Sequence, residues 1–552
     1  MKIKSFILTM AACVALCSAC SDELDDPNSG KQTEEQAKTA YASFSFVMPS
    51  GSATRVNEDE IGTLDENEIS NVTICLFDAA TAENKGLLQK EELKRDDFTP
   101  AKNDDANTTE YQTKKLIKVK TGSYKVYIIV NPANTLNLSV AAADGKSGTA
   151  LADFEKLITE ASVTVAEATT KGAYCKKDHF MMTNANTVGT TEIVVTNTET
   201  NPVHISVNVE RIAAKIVFTT GTGTDINTYN VGSADNGISV AFDAFKIINT
   251  RNSAFNFRRV GEGNNATGGT TTTIGGAENA NYVIENQWAL KFNYSSSSAT
   301  DFWTSAESNS YSKVYSRKFN EYVPFRKLEN SKANAAQTLA YCLENTMPAD
   351  KQLNGFTTGI IFRGKVTITA EGKQSTNGDF YRYGDTYYAT LAALAKAHAE
   401  LNLPTDQADL ANISTNQPEL AKYGIEYFKG GYCYYKYWIK HRPGDSDPMS
   451  AMTFAIVRNN VYKLTIQDVA GIGSSTSGTP GKPADWTDDP DASNPETPGD
   501  IADNQEEETT APVTPPYPID PDDPDADPTG TAYLKVGIRV LKWTVRTNEI
   551  HL

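Results

Sequence analysis

Apolar and polar positions alternate along much of the chain. Ala42, Phe44, Phe46 and Met48 are separated by Ser43, Ser45 and Val47, and the run stops at Pro49. A period of two marks a strand whose two faces meet different surroundings, so a short strand is predicted here. Further strands are predicted at Val72–Phe77, Lys115–Lys120 and Tyr124–Val130, where Tyr124, Val126, Ile128 and Val130 share a face. Ile205, Val207 and Val209 alternate likewise and lead into Glu210–Phe218. Strands recur at Val240–Ile248, Gln287–Tyr294 and Thr357–Thr369, and Tyr432–Ile439 with Phe454–Ile466 reads as a closing hairpin. Helical spacing is rare. Leu151, Phe154, Leu157 and Ile158 predict a surface helix over Ala150–Ala161, and Ala- and Leu-rich Thr390–Asn402 predicts a second. Phe180-Met181-Met182 reads as a buried turn or strand, its methionines core filling rather than metal ligands. The pattern as a whole is mostly β.

The end of the chain carries one more strand. From 532 to 552, Leu534, Val536, Ile538 and Val540 alternate with Lys535, Gly537 and Arg539; then the phase flips and Leu541, Trp543 and Val545 carry the apolar set. A strand that changes face midway needs a bulge, or two surfaces to bury against. Ahead of it, residues 474–531 hold fifteen acidic side chains against one base, Lys482. Proline blocks helix and ladder, and like charges extend the chain, so this segment is a solvated tether. Its Asp520–Asp525 run lacks the spacing of a calcium loop and is cut by Pro521 and Pro524. An apolar strand on a flexible leash needs a cover. The cover is its own sheet, or a groove on another molecule, as in donor-strand addition.

The tether also explains the charge. It carries −14 of the net −18, leaving the folded remainder near neutral. No basic patch is left to meet phosphates, so nucleic acid is not an expected partner.

At the other end, Lys2 and Lys4 precede an apolar run from Phe6 to Leu16. It is too short to span a bilayer and has the form of a signal-peptide core. Cys17-Ser18-Ala19 before Cys20 resembles a lipobox, with Cys17 where leucine is usual. Cys20 is therefore expected to carry diacylglycerol and palmitoyl groups on the precursor; an ordinary signal-peptidase site is the alternative. The acidic Ser21–Asp26 resembles surface-export tags of some lipoproteins, and no later run reaches transmembrane length. Residues 27–40 are polar and expected to be disordered. The small, polar loop Ser50–Asn57 contains a single base, Arg55, followed by Val56, and is a ready protease substrate.

Four cysteines lie beyond the N-terminal segment: Cys75, Cys175, Cys342 and Cys433. None has metal-site spacing. Buried free thiols are expected, with a Cys75–Cys175 bridge as the alternative. The five histidines, 179, 204, 398, 441 and 551, are scattered. No nucleophile elbow, phosphate loop, dinucleotide fingerprint or zinc-protease motif occurs, so no enzyme, cofactor or metal is expected.

Three stretches suggest a family. Tyr434–Ile439, Ile456–Ile466 and Ile472-Gly473 resemble the C-terminal region of type V pilus fimbrillins, most of all the minor (Mfa-type) fimbrium shaft subunits. Tyr124–Asn131 resembles a strand of that family, as does Arg211–Ile216. The Asp/Pro spacer, Trp543, the lipobox, the Phe44 strand and the Arg55 loop fall in the family's order. The resemblance implies two transthyretin-like antiparallel β-sandwich domains with a few surface helices. It divides the chain into a signal peptide (1–19), a lipidated propeptide with the first strand (20–55), an N-terminal sandwich (56–203), a C-terminal sandwich (204–473), the tether (474–531) and a donor strand (532–552). It further implies an outer-membrane lipoprotein cut after Arg55 by an Arg-specific protease. Loss of Ala42, Phe44, Phe46 and Met48 would open a groove for Leu534, Val536, Ile538, Val540, Leu541, Trp543 and Val545 of another copy. The product would be an adhesive, biofilm-supporting fimbria at the cell surface, with accessory tip and anchor subunits. Alternatives are an accessory or anchor subunit, or a monomeric surface lipoprotein binding glycans through Tyr387, Tyr388 and the Tyr432–Trp438 cluster.

Overall fold

A computed structural model describes residues 39–48, 59–61, most of 64–476, and 534–544. Within 64–476 the longest undescribed segments are 263–272, 285–322, 325–335 and 442–451. The signal peptide, Cys20, Arg55, Val56, Gln287–Tyr294, residues 477–533 and Val545 lie outside the described residues.

Strands dominate, as the alternation predicts. The first sheet takes β1 (Thr39–Met48), β3 (Asn71–Asp78), β4 (Leu87–Lys94), β5 (Phe98–Ala101), β6 (Thr109–Thr113), β7 (Ile117–Lys120), β8 (Gly122–Val130), β10 (Met182–Asn184) and β11 (Val203–Arg211). Its spatial order is β4-β3-β8-β10-β11-β1-β6-β5, with β7 on the first half of β1. Phe44, Phe46, Ile74 and Leu76 lie on one face of the sheet and Tyr127 on the other, against Phe154 of the helical turn 151–154; all belong to one buried apolar cluster.

The chain passes at Ile212-Ala213 from this sheet into another. Alternation in Ile205–Val209 reveals a strand but not its partners, and β11 pairs with β1 and β10. A second sheet runs β16 (Ala336–Cys342), β12 (Ala214–Thr219), β22 (Asn460–Val469), β23 (Leu534–Thr544) and β2 (Asp59–Ile61). A third runs β13 (Thr228–Asn230), β14 (Ile238–Ile248), β17 (Gly359–Ile368) and β21 (Tyr432–Trp438). Ile216, Tyr462 and Leu464 from the second sheet share a core with Phe242, Phe362 and Tyr435 from the third, the arrangement of a β-sandwich. Two short strands tie the halves together. β9 (Ile158–Glu160) pairs with β15 (Ser253–Phe255), and Phe257 inserts into the first core against Tyr127 and Phe154, with ring centroids 5.0 and 5.1 Å apart.

Two expectations need correction. The closing hairpin is absent: β21 and β22 lie in different sheets, and Met452–Phe454 is a turn. The expected 150–161 helix is one turn, α2 (Leu151–Phe154), because Ile158 is taken up by the β9 ladder. The second helix matches: α3 (Leu391–Ala397) starts where Thr390 Oγ1 accepts the Ala393 amide at 3.1 Å, and Asn402, with φ 51°, closes the following 3-10 turn. It packs near a small sheet of β18 (Phe380–Tyr383), β19 (Thr386–Tyr388) and β20 (Ile425–Phe428).

Candidate assembly site

β1 is a lane filled by one strand. On one side it runs parallel to β11, with Phe44 beside Ile205 and Phe46 beside Val207. On the other, Thr39–Ala42 pairs antiparallel with β7 and Ser45–Met48 with β6. Where β6 gives way to β7, the Phe44 amide donates to Thr113 Oγ1 at 3.2 Å, so the ladder is completed by a side chain. Ala40, Ala42, Phe44, Phe46 and Met48 are 0% exposed. The Phe46 ring stands 5.3 Å from both Phe98 and Tyr111. No residue of Thr39–Met48 is charged.

The opposite face of β1 is polar and bridges both neighbours. Ser43 Oγ meets His204 Nδ1 at 2.9 Å, and Ser45 Oγ donates to Glu110 and lies 3.2 Å from His204 Nε2. Glu110 Oε1 also accepts from Ser206 Oγ and lies 3.3 Å from His204 Nε2. The three strands are thus laced on both faces, by apolar packing on one and hydrogen bonds on the other.

In sequence, β1 follows the leader and precedes the segment that carries Arg55. Next along the chain come β2 and then α1 (Leu64–Asn67), which buried charges fix in place. Glu66 is 2.9 Å from Lys215 Nζ and accepts from Tyr341 OH at 2.6 Å, while Arg211 Nε donates to the Glu66 carbonyl at 3.2 Å. Burial lowers the Arg211 guanidinium to about 10, against the pull of Glu66.

In this monomer the C-terminal strand takes the first of its two open covers, its own sheet. β23 runs antiparallel to β22, from Val469 opposite Leu534 to Asn460 opposite Lys542. Val536 and Ile538 pack on the second core. The ladder passes Val540 and Leu541 unbroken; its bulge falls between Ile466 and Asp468 on the partner strand instead. Past the phase flip, Lys542, Trp543 and Thr544 run parallel to Asp59, Glu60 and Ile61 of β2. The strand is therefore held between β22 and the segment just beyond the Arg55 loop.

Sequence reasoning missed Glu110, His204 and Ser206, whose only signal was the serine face of β1. It also missed a buried ion pair. Arg458 Nε lies 2.7 Å from Glu344 Oε1, both side chains 0% exposed, and Arg458 also donates to the Phe255 and Asn256 carbonyls at 2.6 and 3.0 Å. Burial opposes the Arg458 charge, but Glu344 more than offsets it and holds the group above its ordinary range. Cys75, Cys342 and Cys433 are buried thiols outside any disulfide, so Cys75 makes no bridge to Cys175. The supposed aromatic platform is mostly core, because Tyr434, Tyr435, Tyr437 and Trp438 are buried; Tyr387 and Tyr388 are half-buried, and Tyr388 OH is 2.8 Å from His398. Among the described residues no group of three or more His, Cys, Asp or Glu side chains is placed to hold a metal, and no helix is long and apolar enough to cross a membrane.

Two family models match. The one described as major fimbrial subunit protein (FimA) covers residues 40–231, and the one for the C-terminal region of the fimbrillin major fimbrial subunit protein covers 426–549. A search of the curated proteins found no match. Solved structures resemble the chain at low identity. A fimbrilin (FimA) from Porphyromonas gingivalis W83 is 15% identical, with 92% of this chain and 99% of that one covered and a TM-score of 0.40. A putative cell adhesion protein from Parabacteroides distasonis is 13% identical, with the same coverage and a TM-score of 0.41. The tip fimbrial protein Mfa3 from P. gingivalis, truncated at its C-terminus, is 10% identical, with 78% and 95% covered and a TM-score of 0.33. With the first model spanning β1 and the strands that hold it and the second spanning β22 and β23, the chain belongs to the fimbrillins, structural subunits of cell-surface fimbriae rather than enzymes.

Proposed function

We propose that this fimbrillin is a shaft subunit, of the minor Mfa-type class that Ile456–Ile466 resembles. It is exported as a lipoprotein on Cys20, cut after Arg55, and joined to other copies by donor-strand exchange. The observation that carries this reading is β1. It is a neutral strand with a fully buried core face between β11 and β6/β7, preceded in sequence by a polar leader and followed by the Arg55 segment. While the loop is intact, the strand is held beside its lane at high effective concentration. Once the loop is cut, β1 belongs to a separate peptide that dilutes away, together with the lipid. The open lane then accepts 532–552 of another copy, and the acidic tether gives that strand its reach. Repeated joints make the shaft, and accessory subunits provide its tip and anchor. Adhesion and biofilm support follow from that fibre.

The test is the intact mass and N-terminal sequence of protein sheared from cells, with its size on an unheated gel. A start at Val56, no lipid and a ladder of detergent-resistant multimers are expected. A second reading, an anchor subunit or a monomeric surface lipoprotein, draws on β23, which already has a place in its own sheet. A lipidated start at Cys20 and a single band near full mass would establish that reading and overturn the first.

A further inference from the structure

β1 and the C-terminal strand read alike. Thr39-Ala40-Tyr41 opens β1, and Thr531-Ala532-Tyr533 leads into β23. Aligned on that tripeptide, Leu534, Val536, Ile538 and Val540 fall on Ala42, Phe44, Phe46 and Met48, the four core-facing positions that follow it. Small Gly537 falls on Ser45. The match ends at one point in both segments. Pro49 follows Met48, and the apolar set of the C-terminal strand changes face just after Val540. The phase flip that the cis ladder absorbs without a bulge therefore coincides with the end of the lane.

One aligned position changes character: Val47 becomes Arg539. Val47 lies directly opposite Glu110 on β6. The Glu110 side chain is only 17% exposed and accepts from Ser45 Oγ. A strand with glycine at that position withdraws the hydroxyl and presents a guanidinium one residue-pair further along. At the other end, Lys118 Nζ sits 6.0 Å from the centre of the Tyr41 ring, a contact that Tyr533 would keep.

We propose, resting on the donor-strand reading, that 531–540 of a second copy enters the vacated lane in the direction and register of 39–48, with Arg539 paired to Glu110 as the register key. The period of a strand explains why a key is needed. A slip of one residue would turn Lys535, Gly537 and Arg539 into the core and is rejected by burial alone. A slip of two keeps every apolar residue facing inward, so the core discriminates against it weakly. That slip places Gly537 or Leu541 opposite Glu110 and leaves its largely buried carboxylate without the guanidinium.

The test uses full-length subunits, with Cys175→Ser to remove one native thiol, clipped by a trypsin-like protease. Ser43 is the register partner of His204, so a Lys535→Cys, His204→Cys chain is expected to cross-link between copies with a short thiol reagent. Gly537→Cys with His204→Cys, which reports the two-residue slip, is expected not to. Separately, Glu110→Arg is expected to slow fibre growth about tenfold or more, and Arg539→Glu in the same chain to restore it. Fibres that cross-link only through the 537–204 pair, or that are indifferent to both charge changes, would overturn the register while leaving strand exchange intact. Absence of any fibre from unmodified, clipped protein would overturn strand exchange and the register with it.

Discussion

Phe46→Ala separates the precursor from the fibre. Phe46 is 0% exposed and packs on Phe98 and Tyr111, each with ring centroids 5.3 Å away. Truncating a buried phenylalanine to alanine costs about 3–5 kcal/mol, through lost transfer energy and the cavity left behind. At 1.4 kcal/mol per decade, that is about two to three and a half orders of magnitude in the unfolding equilibrium of the first core. Under strand exchange the cost falls only on the precursor, because the processed subunit no longer contains residue 46. Phe77→Ala is the control. Phe77 is equally buried, lies 4.6 Å from the Phe154 ring, and stays in the subunit after processing. Hydrogen exchange of the β8 amides and the urea midpoint would be measured on precursor and on sheared fibre. Phe46→Ala should weaken the precursor alone, whereas Phe77→Ala should weaken both. Phe46→Ala should also speed growth after clipping, since β1 leaves its lane more readily. Equal loss in precursor and fibre from Phe46→Ala would mean β1 is still in place, and would refute the exchange.

Three shorter predictions follow from the same contacts. Arg458→Met leaves the wholly buried Glu344 unpaired and should cost about 3–5 kcal/mol; thermal melts should show the double change to Met at 344 and 458 recovering much of it. Trp543→Ala should leave a folded monomer but lower the yield of multimers on an unheated gel, and normal yield would count against Trp543 as a joint residue. Burial pushes the Cys75 and Cys433 thiols and the Tyr381 phenol up to about 12, from 9.0, 9.0 and 10.0. Groups raised in the folded state give stability that is whole below the unfolded value. Melting temperature should therefore hold to about pH 9 and fall as pH rises toward 12, and a flat profile over that range would remove these groups as the cause.

The sequence displayed faces well and partners poorly. Ala42, Phe44, Phe46 and Met48 announced β1 because its two sides meet different media, a core and a polar seam. The same logic found β3, β8, β14 and β17. It erred where alternation was asked for pairing. Tyr432–Trp438 and Asn460–Val469 both alternate, and they face each other across a sandwich instead of forming a hairpin. Leu151, Phe154, Leu157 and Ile158 have helical spacing, yet Ile158 gains more from the ladder with Phe255 than from another helical turn. Glu110 and His204 carry no period at all. They belong to one site only because β6 and β11 flank the same strand, and that is a fact of topology.

Under the proposed strand exchange, the two places open to the C-terminal strand differ in kind, and the difference would give assembly its direction. In cis, β23 is flanked along its length by β22 but on its other side by only Asp59–Ile61, at one end. In the lane, β1 is paired with β11 over Ala42–Val47 and with β7 and β6 over most of its length on the other side, with its core-facing residues fully buried. Each added ladder bond is worth about 1 kcal/mol net, and each buried aliphatic side chain about 1.5–3 kcal/mol. The lane is therefore the deeper well, while the cis site has the advantage of tethering. Under the proposed exchange, as long as β1 fills the lane the cis site wins, and there β23 keeps one edge paired with β22. Cleavage at Arg55 would change both sides of that balance at once. It empties the lane, and it makes β2, which clamps Lys542–Thr544, a strand near a free chain end that can fray from α1 outward. A single cut would then create the acceptor and loosen the donor in the same molecule.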